Sequence, residues 1–401
     1  MDTVKNNLSK LDVLLCGLAF TSRTETLEDY LKDKTKSLTV ISISSCFLKE
    51  NLSFCRIYEK GVLKNSFSIP NFRIKNYRPF RQPLILIVFI FNWLVILFTI
   101  IKVNKKFDLF IGVSHSFAFI GALLKKIKLV KQFIYYCIDY YIPEEKLNFN
   151  SMFVRLINIL DRFTVKNADF IWDISEKISK YRQKLGGIKK GSYRNIIVPL
   201  GYSRHIRQFK TIDEINRWQV GFVGTITANQ GLQLLVDAMP QLLKRIPQIK
   251  IQIIGDGPFS QELRNMVIQK KLENHFKFAG FIKNEEEMLD LLSRSAIGLA
   301  LYNDSTDNRN IICADSGKPK LYALLGLPAI VTNFCSISDE IKKQKAGISI
   351  NYNSDELVDA ISFLLEDQQR LIELKVNSFK LGESFVSDSI FDEAFRVMEV
   401  G

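Results

Sequence analysis

Short, strongly apolar runs alternate along this chain with stretches whose apolar positions recur three and four residues apart. The runs at 11–18 and 37–44 have strand character, and the helix-like TETLEDYLKDK (24–34) lies between them. Farther on, FDLFIGVS (107–114) precedes a helical stretch at 116–130, and QFIYYCIDY (132–140) precedes another around 151–166. The series continues with DFIWDIS (169–175), a helix at 176–184 and NIIVPLG (195–201). Polar residues then fill 203–217, so 204–217 reads as a linker. A second series starts at WQVGFVGTI (218–226) and runs through a helix at 230–246, IKIQIIGDG (249–257), a helix at 259–271 and FKFAGFI (276–282). After it come a helix at 284–294, AIGLALY (296–302), a helix near 318–325, PAIVTN (328–333) and GISINY (347–352). Helices at 354–366 and near 386–399 close the chain. Repeated strand–helix units imply parallel sheets with helices on both faces. The expected fold class is α/β, with two doubly wound, Rossmann-like domains over 1–203 and 218–385 that face each other across a cleft. The 386–401 helix is expected to pack back on the first domain. Sheets of this kind bind ligands outside the carboxyl ends of their strands.

One stretch stands apart from the alternation. LILIVFIFNWLVILFTII (84–101) is long enough to span a membrane. Arg73, Lys75, Arg78 and Arg81 precede it and Lys102, Lys105 and Lys106 follow it, so the flanks give no orientation. If the strands on either side of it belong to one sheet, a spanning helix would divide that sheet between two sides of a membrane. The segment therefore reads as a crossover helix with one face on the sheet and the other in the lipid interface. Its cationic flanks, 73–106, would then meet anionic head groups. A wholly buried helix, a subunit contact and a true span are the alternatives. The earlier run VLLCGLAF (13–20) follows Lys10 and Asp12 and lacks a cleavage pattern, so it reads as a buried strand and not as a signal peptide.

Composition narrows the class. The chain has 401 residues, 47% of them hydrophobic, enough for two cores. Six cysteines form no C-x-x-C pair and lie mostly in apolar runs, as reduced thiols of a cytoplasmic protein do. The three histidines, His115, His205 and His275, have no metal-ligand spacing, so no metal is expected. Residues 1–203 carry a formal charge of +16 and residues 204–401 one of −3. A basic first half beside a near-neutral second half points to one domain facing an anionic surface. Nucleic acid is the weaker explanation, because no recognition motif accompanies the charge.

Three glycine-bearing turns follow strands of the second series: Gly224-Thr225, Gly255-Asp256-Gly257-Pro258, and Asp315-Ser316-Gly317-Lys318-Pro319. Pro319 suits a first helical turn, which makes Gly317 or Lys318 the cap and leaves amides free for an anion. Lys318 adds a full charge. The G-x-x-x-x-G-K-[ST] spacing of a Walker loop is absent. An ordinary capped helix with a solvated lysine would show the same local pattern.

GKPKLYALLGLPAIV (317–331) resembles the PxK-xx-EYL-xx-GLPVIV region of retaining, GT-B-fold glycosyltransferases of family 4. VGFVGTI, NQGLQLLVDA, QIIGDGP, FAGFI and GLALY extend the resemblance over 218–366 in the family's order, and VSHS (113–116) and IVPLGYS (197–203) support it in the first half. The resemblance implies a nucleotide-sugar donor on the second domain, held by Gly224, Thr225, Gly255, Tyr302, Ser316, Gly317, Lys318 and Tyr322. It also implies catalytic roles for Lys318 and for His115, which matches a position near the donor sugar. Asp139 is a candidate for the acceptor side. Four departures stand out: Thr225 and Gln230 replace the family's usual Arg or Lys, and Cys313 and Leu321 stand where two Glu eight apart are usual, the second of them ribose-binding. Asp304, Asp307 and Asp315 are the nearby acids. The function expected is metal-independent, retaining transfer of a sugar to a lipid-linked or polysaccharide acceptor, by a cytoplasmic protein peripheral on the inner face of the cell membrane. A non-catalytic partner or anchor of another transferase, and a sugar-nucleotide epimerase, are the rivals.

Overall fold

The computed structural model describes residues 8–19, 22–46, 52–72, 81–144, 146, 148–189, 191–303 and 315–400. Asp304, Asp307 and Cys313, and Arg73, Lys75 and Arg78 of the basic flank before the 84–101 stretch, lie outside the described residues. The chain divides into two compact units. Unit 1 holds the described residues up to Gly201 together with the last helix, and unit 2 runs from Tyr202 to Val386.

Unit 1 contains strands β1 (Asp12–Leu18), β2 (Ser37–Ile43), β3 (Phe54–Glu59), β4 (Val62–Ser68), β5 (Phe107–Val113), β6 (Val130–Cys137), β7 (Phe170–Asp173) and β8 (Asn195–Ile197). Its helices are α1 (Ser22–Lys32), α2 (Arg81–Val103), α3 (His115–Lys126), α4 (Phe149–Asn167) and α5 (Glu176–Gly186). The sheet order is β4-β3-β2-β1-β5-β6-β7-β8. Buried runs such as SLTVISI in β2 form its parallel centre, as expected of strands covered on both faces. The β3–β4 hairpin corrects the all-parallel expectation, because both of its pairings are antiparallel. It turns through Lys60 and Gly61 at φ 48° and 80°, the left-handed backbone that a two-residue hairpin needs. β4 is almost wholly exposed, and this edge strand shows no apolar alternation for a sequence reading to find.

The 84–101 stretch forms most of α2, a crossover from β4 to β5. The helix is long and apolar enough to cross a membrane, and 33% of its apolar window is buried in the protein. Deep in unit 1, Arg182 of α5 is fully buried between Asp161 and Asp173, at 2.9 Å and 2.7 Å, and Tyr135 donates to Asp161 at 2.8 Å. The last helix, α13 (Ser387–Val400), packs on α1, where Phe391 and Phe395 meet the Tyr30 ring and Tyr30 donates to Asp392 at 2.7 Å.

Unit 2 contains β9 (Asn216–Val223), β10 (Lys250–Ile254), β11 (Phe276–Gly280), β12 (Ser295–Ala300), β13 (Ala329–Thr332) and β14 (Gly347–Ile350), all parallel in the order β11-β10-β9-β12-β13-β14. Helices α6 (Leu232–Arg245), α7 (Ser260–Gln269), α8 (Glu285–Ser293), α9 (Gly317–Leu324) and α10 (Ser338–Lys343) link these strands, and α11 (Ser354–Glu366) and α12 (Gln368–Gly382) follow. Helix α12 has no counterpart in the sequence reading. It fixes the Gly-Leu-Pro turn, since Lys375 donates to the Gly326 carbonyl at 3.1 Å and Ser378 to that of Leu327 at 2.8 Å. The segment 204–217 is built into unit 2 and is no bare linker. It forms two 3-10 turns, its Gln208 amide donates to Leu324 at 3.1 Å, and Arg207 lies 3.7 Å from the Phe379 ring centre.

Candidate functional site

In unit 2 the chain winds from β9 to β10 and β11 on one side, then from β12 to β13 and β14 on the other. The order reverses between β9 and β12, and a crevice opens where their carboxyl ends part. Gly224 follows β9 there, Tyr302 follows β12, and α9 begins beside them. Gly224 has φ 136°, and a Cβ on it would come within 2.9 Å of Lys318 Cε. Glycine here serves the close approach of that lysine. Lys318 is half-buried, 5.5 Å from the Phe222 ring centre and 4.9 Å from that of Tyr302, and it donates to the Gln230 side chain. Burial pulls its pKa down to about 8, with the nearby Cys335 opposing the shift.

Helix α9 starts at Gly317, with Ser316 as its N-cap, which corrects the expectation of a cap at Gly317 or Lys318. The Ser316 hydroxyl does not cap the helix. It interacts with Tyr302, and the Ser316 amide donates to Ser336 Oγ at 3.0 Å. The first-turn amides of Gly317 and Lys318 have no acceptor within the helix by position, and Pro319 carries no amide. One cation, two amides and the positive end of a helix thus converge beside a glycine turn, a combination suited to an anion such as a diphosphate.

The other expected donor residues take different places. Thr225 is exposed at the rim. Gly255 packs behind Gly224, so that a Cβ on it would lie 2.0 Å from the Gly224 carbonyl oxygen. Tyr322 is fully buried and its hydroxyl is used internally, donating to Leu299 at 2.8 Å and accepting from the Val223 amide at 3.4 Å. It supports the turn and offers the crevice no polar group, which corrects its assignment as a donor contact. Asp315 is buried in an ion pair with Lys320, a residue the sequence reading passed over. Leu321, at the position of the usual glutamate, is buried.

In unit 1 the order reverses between β1 and β5, and His115 follows β5 at that point. Ser114 makes the turn at φ 76°, strained for a residue other than glycine. Its amide donates to Tyr136 at 2.8 Å and its carbonyl accepts from Ala118 at 3.0 Å. His115 is buried between Phe89 and Tyr141, with ring centres 5.8 Å and 5.6 Å away, and desolvation lowers its pKa against the pull of Asp161 and Asp139. Asp139 is exposed. Among the described residues no group of three or more His, Cys, Asp or Glu is arranged to hold a metal.

The global fold is shared with several solved structures. HepE of Anabaena in complex with UDP matches with a TM-score of 0.65 at 15% identity, over 97% of this chain and 100% of that one. Sucrose-phosphate synthase of Thermosynechococcus elongatus gives 0.71 at 13%, over 97% and 99%. WaaG, a glycosyltransferase involved in lipopolysaccharide biosynthesis, gives 0.66 at 12%, over 97% and 100%. The chain therefore has the GT-B fold, two Rossmann-like α/β domains. Within it, residues 217–367 match the family described as glycosyl transferases group 1. A curated relative is the GDP-mannose-dependent alpha-(1-6)-phosphatidylinositol monomannoside mannosyltransferase of Mycobacterium tuberculosis, 22% identical over 153 residues, 37% of this chain and 38% of that protein. The chain thus spans little more than a third of the curated relatives it matches.

Proposed function

We propose that this protein is a glycosyltransferase that takes a sugar from a nucleotide-sugar donor bound to unit 2 and passes it to a lipid-linked or polysaccharide acceptor. The observation that carries this reading is the convergence of Lys318, Gly224 and the first-turn amides of α9 at the reversal of strand order. In this reading the diphosphate lies on those groups, and they stabilise the negative charge that develops as the sugar leaves. Lys318 and the amides take the role a metal ion has in other transferases, so the reaction is metal-independent, and it retains the configuration of the sugar. His115 is the unit 1 group assigned to the donor sugar, and Asp139 is assigned to the acceptor. The protein works at the cytoplasmic face of the cell membrane, peripherally, with α2 and its basic flanks on anionic lipid. The apolar outer side of α2 and the +16 charge of residues 1–203 support that placement.

Calorimetry with UDP, UDP-glucose and GDP-mannose tests the donor reading. Binding of at least one, weakened tenfold or more by Lys318→Ala (about 1.4 kcal/mol or more), is expected. Unchanged affinity in that variant removes the site assignment. A second reading has its own support: Leu321, Thr225 and Gln230 lack the charges usual at these positions, as a non-catalytic partner of another transferase could. Failure of every nucleotide sugar to bind favours that reading.

A further inference from the structure

We propose that the bilayer contact is wider than α2 and that α4 supplies a second apolar ridge to the same anionic membrane surface. This rests on the peripheral-membrane reading above and extends it to a helix whose exposed apolar residues lie along one side only. On α4, Phe149, Met152, Leu156 and Ile159 are exposed at successive turns, Phe149 at 59% and Ile159 at 62%. The opposite side of the helix, with Ile157, Thr164 and Val165, is buried. On α2, Ile90, Leu94, Phe98 and Ile101 form a like stripe, with Phe98 69% and Ile101 67% exposed, opposite the buried Val88, Ile96 and Ile100. Helices α2, α3 and α4 each lead to a strand farther along the sheet in the same direction, so right-handed crossovers put all three on one face. Helix α3 lies between the other two: Phe119 is 4.4 Å from the Trp93 ring of α2 and 5.4 Å from Phe163 of α4. Two apolar ridges therefore point away from the sheet on either side of one central helix.

Charge decides what covers them. The only acidic residue in the three helices is Asp161, and it is buried with Arg182. Exposed lysines mark the ends where the three helices finish: Lys106 beyond α2, Lys128 beyond α3 and Lys166 in the last turn of α4. Among the described residues none of these three is paired with a carboxylate. A second copy of this face would bring apolar ridges together but would set cation against cation, since Asp108 and Asp169 at that end are already held by Lys131 and Lys125. An anionic bilayer satisfies both parts, taking the ridges into the acyl boundary and the lysines among its head groups.

Vesicle co-sedimentation of the full chain, comparing phosphatidylglycerol-containing with pure phosphatidylcholine vesicles, tests the proposal. Met152→Ser with Ile159→Ser replaces two exposed side chains, and an unchanged thermal transition shows that the fold is kept. Partitioning onto anionic vesicles weaker by about tenfold or more supports the second ridge. If that variant binds as the wild type does while Phe98→Ser with Ile101→Ser does not, the α4 ridge is refuted and the α2 reading stands. Equal binding to both vesicle types refutes the cationic part. If no vesicle is bound, and either pair of substitutions splits a dimer in analytical ultracentrifugation, both membrane readings fall and the face is an interface between copies.

Discussion

Binding of a nucleoside diphosphate should be coupled to uptake of a proton by Lys318. The lysine's pKa lies at about 8 in the unliganded protein, against an ordinary value of 10.5, because burial disfavours its charge. A diphosphate beside it supplies the missing counter-charge and moves the pKa back toward or beyond the ordinary value. The sign follows from linkage. A group whose pKa rises on binding takes up protons, and its contribution to affinity is complete below the unliganded pKa and fades above it. At about pH 8 roughly half of the unliganded molecules lack the proton, so about half a proton enters per ligand bound. Near pH 9 the uptake approaches about 0.9, and affinity falls by nearly tenfold per pH unit. The second phosphate ionisation of the ligand, near pH 6, lies below this window. Calorimetry with UDP in two buffers of different ionisation enthalpy reads the uptake directly. Lys318→Met should abolish it. Wild-type binding with no uptake between about pH 8 and pH 9, or the same uptake in Lys318→Met, would refute the argument.

The same desolvation opposes folding. Lys318→Met should stabilise the ligand-free protein by about 1–3 kcal/mol at neutral pH, with the gain shrinking from about pH 8 toward pH 10.5, as denaturant titrations over that range would show. Gly224→Ala forces a Cβ against Lys318 at φ 136°, so UDP affinity should drop while the circular dichroism spectrum is kept; wild-type affinity would separate the turn from the site. Arg182→Met leaves Asp161 and Asp173 buried without their partner and should cost about 3–5 kcal/mol of stability at neutral pH. A loss below about 1 kcal/mol in chemical denaturation would contradict that accounting.

How far the sequence reaches depends on the range of each interaction. The strand–helix alternation of both units is local and periodic, and so is the cover that α2 needs on one side. The β3–β4 hairpin escapes because its outer strand is an exposed edge, with Lys64 and Asn65 where apolar residues would mark a core strand. The 204–217 segment misleads for another reason: its polar residues are tied into unit 2 by contacts such as Lys210 with Asp290 at 3.0 Å. Within the site, Lys318 and the helix start at 317 are legible from Gly-Lys-Pro alone. The partners are not, since Gln230 lies 88 residues from Lys318 and no period links them. The absence of the usual cation at 230 was visible in the sequence, but its meaning depends on where the Lys318 side chain reaches.

That meaning yields a last prediction. Gln230 is an acceptor for the Lys318 ammonium, and a lysine in its place would set a second positive charge within about 4 Å of the first. At an effective dielectric constant of about 20 the repulsion is about 4 kcal/mol, enough to force a proton off one of the two or to turn a side chain away. Asp315, three residues before Lys318, is already paired with Lys320, so its carboxylate is not free to relieve the repulsion. The turn as built therefore holds a single cation, oriented by a neutral partner and supported by the α9 amides. Gln230→Lys, which restores the residue type usual in related transferases, should lower UDP affinity near pH 8 instead of raising it. Gln230→Ala should lower it less and leave the pH dependence in place, because the charge remains and only its orientation is lost. If Gln230→Lys binds UDP more tightly than the wild type at that pH, two cations fit this turn and the single-lysine account is wrong.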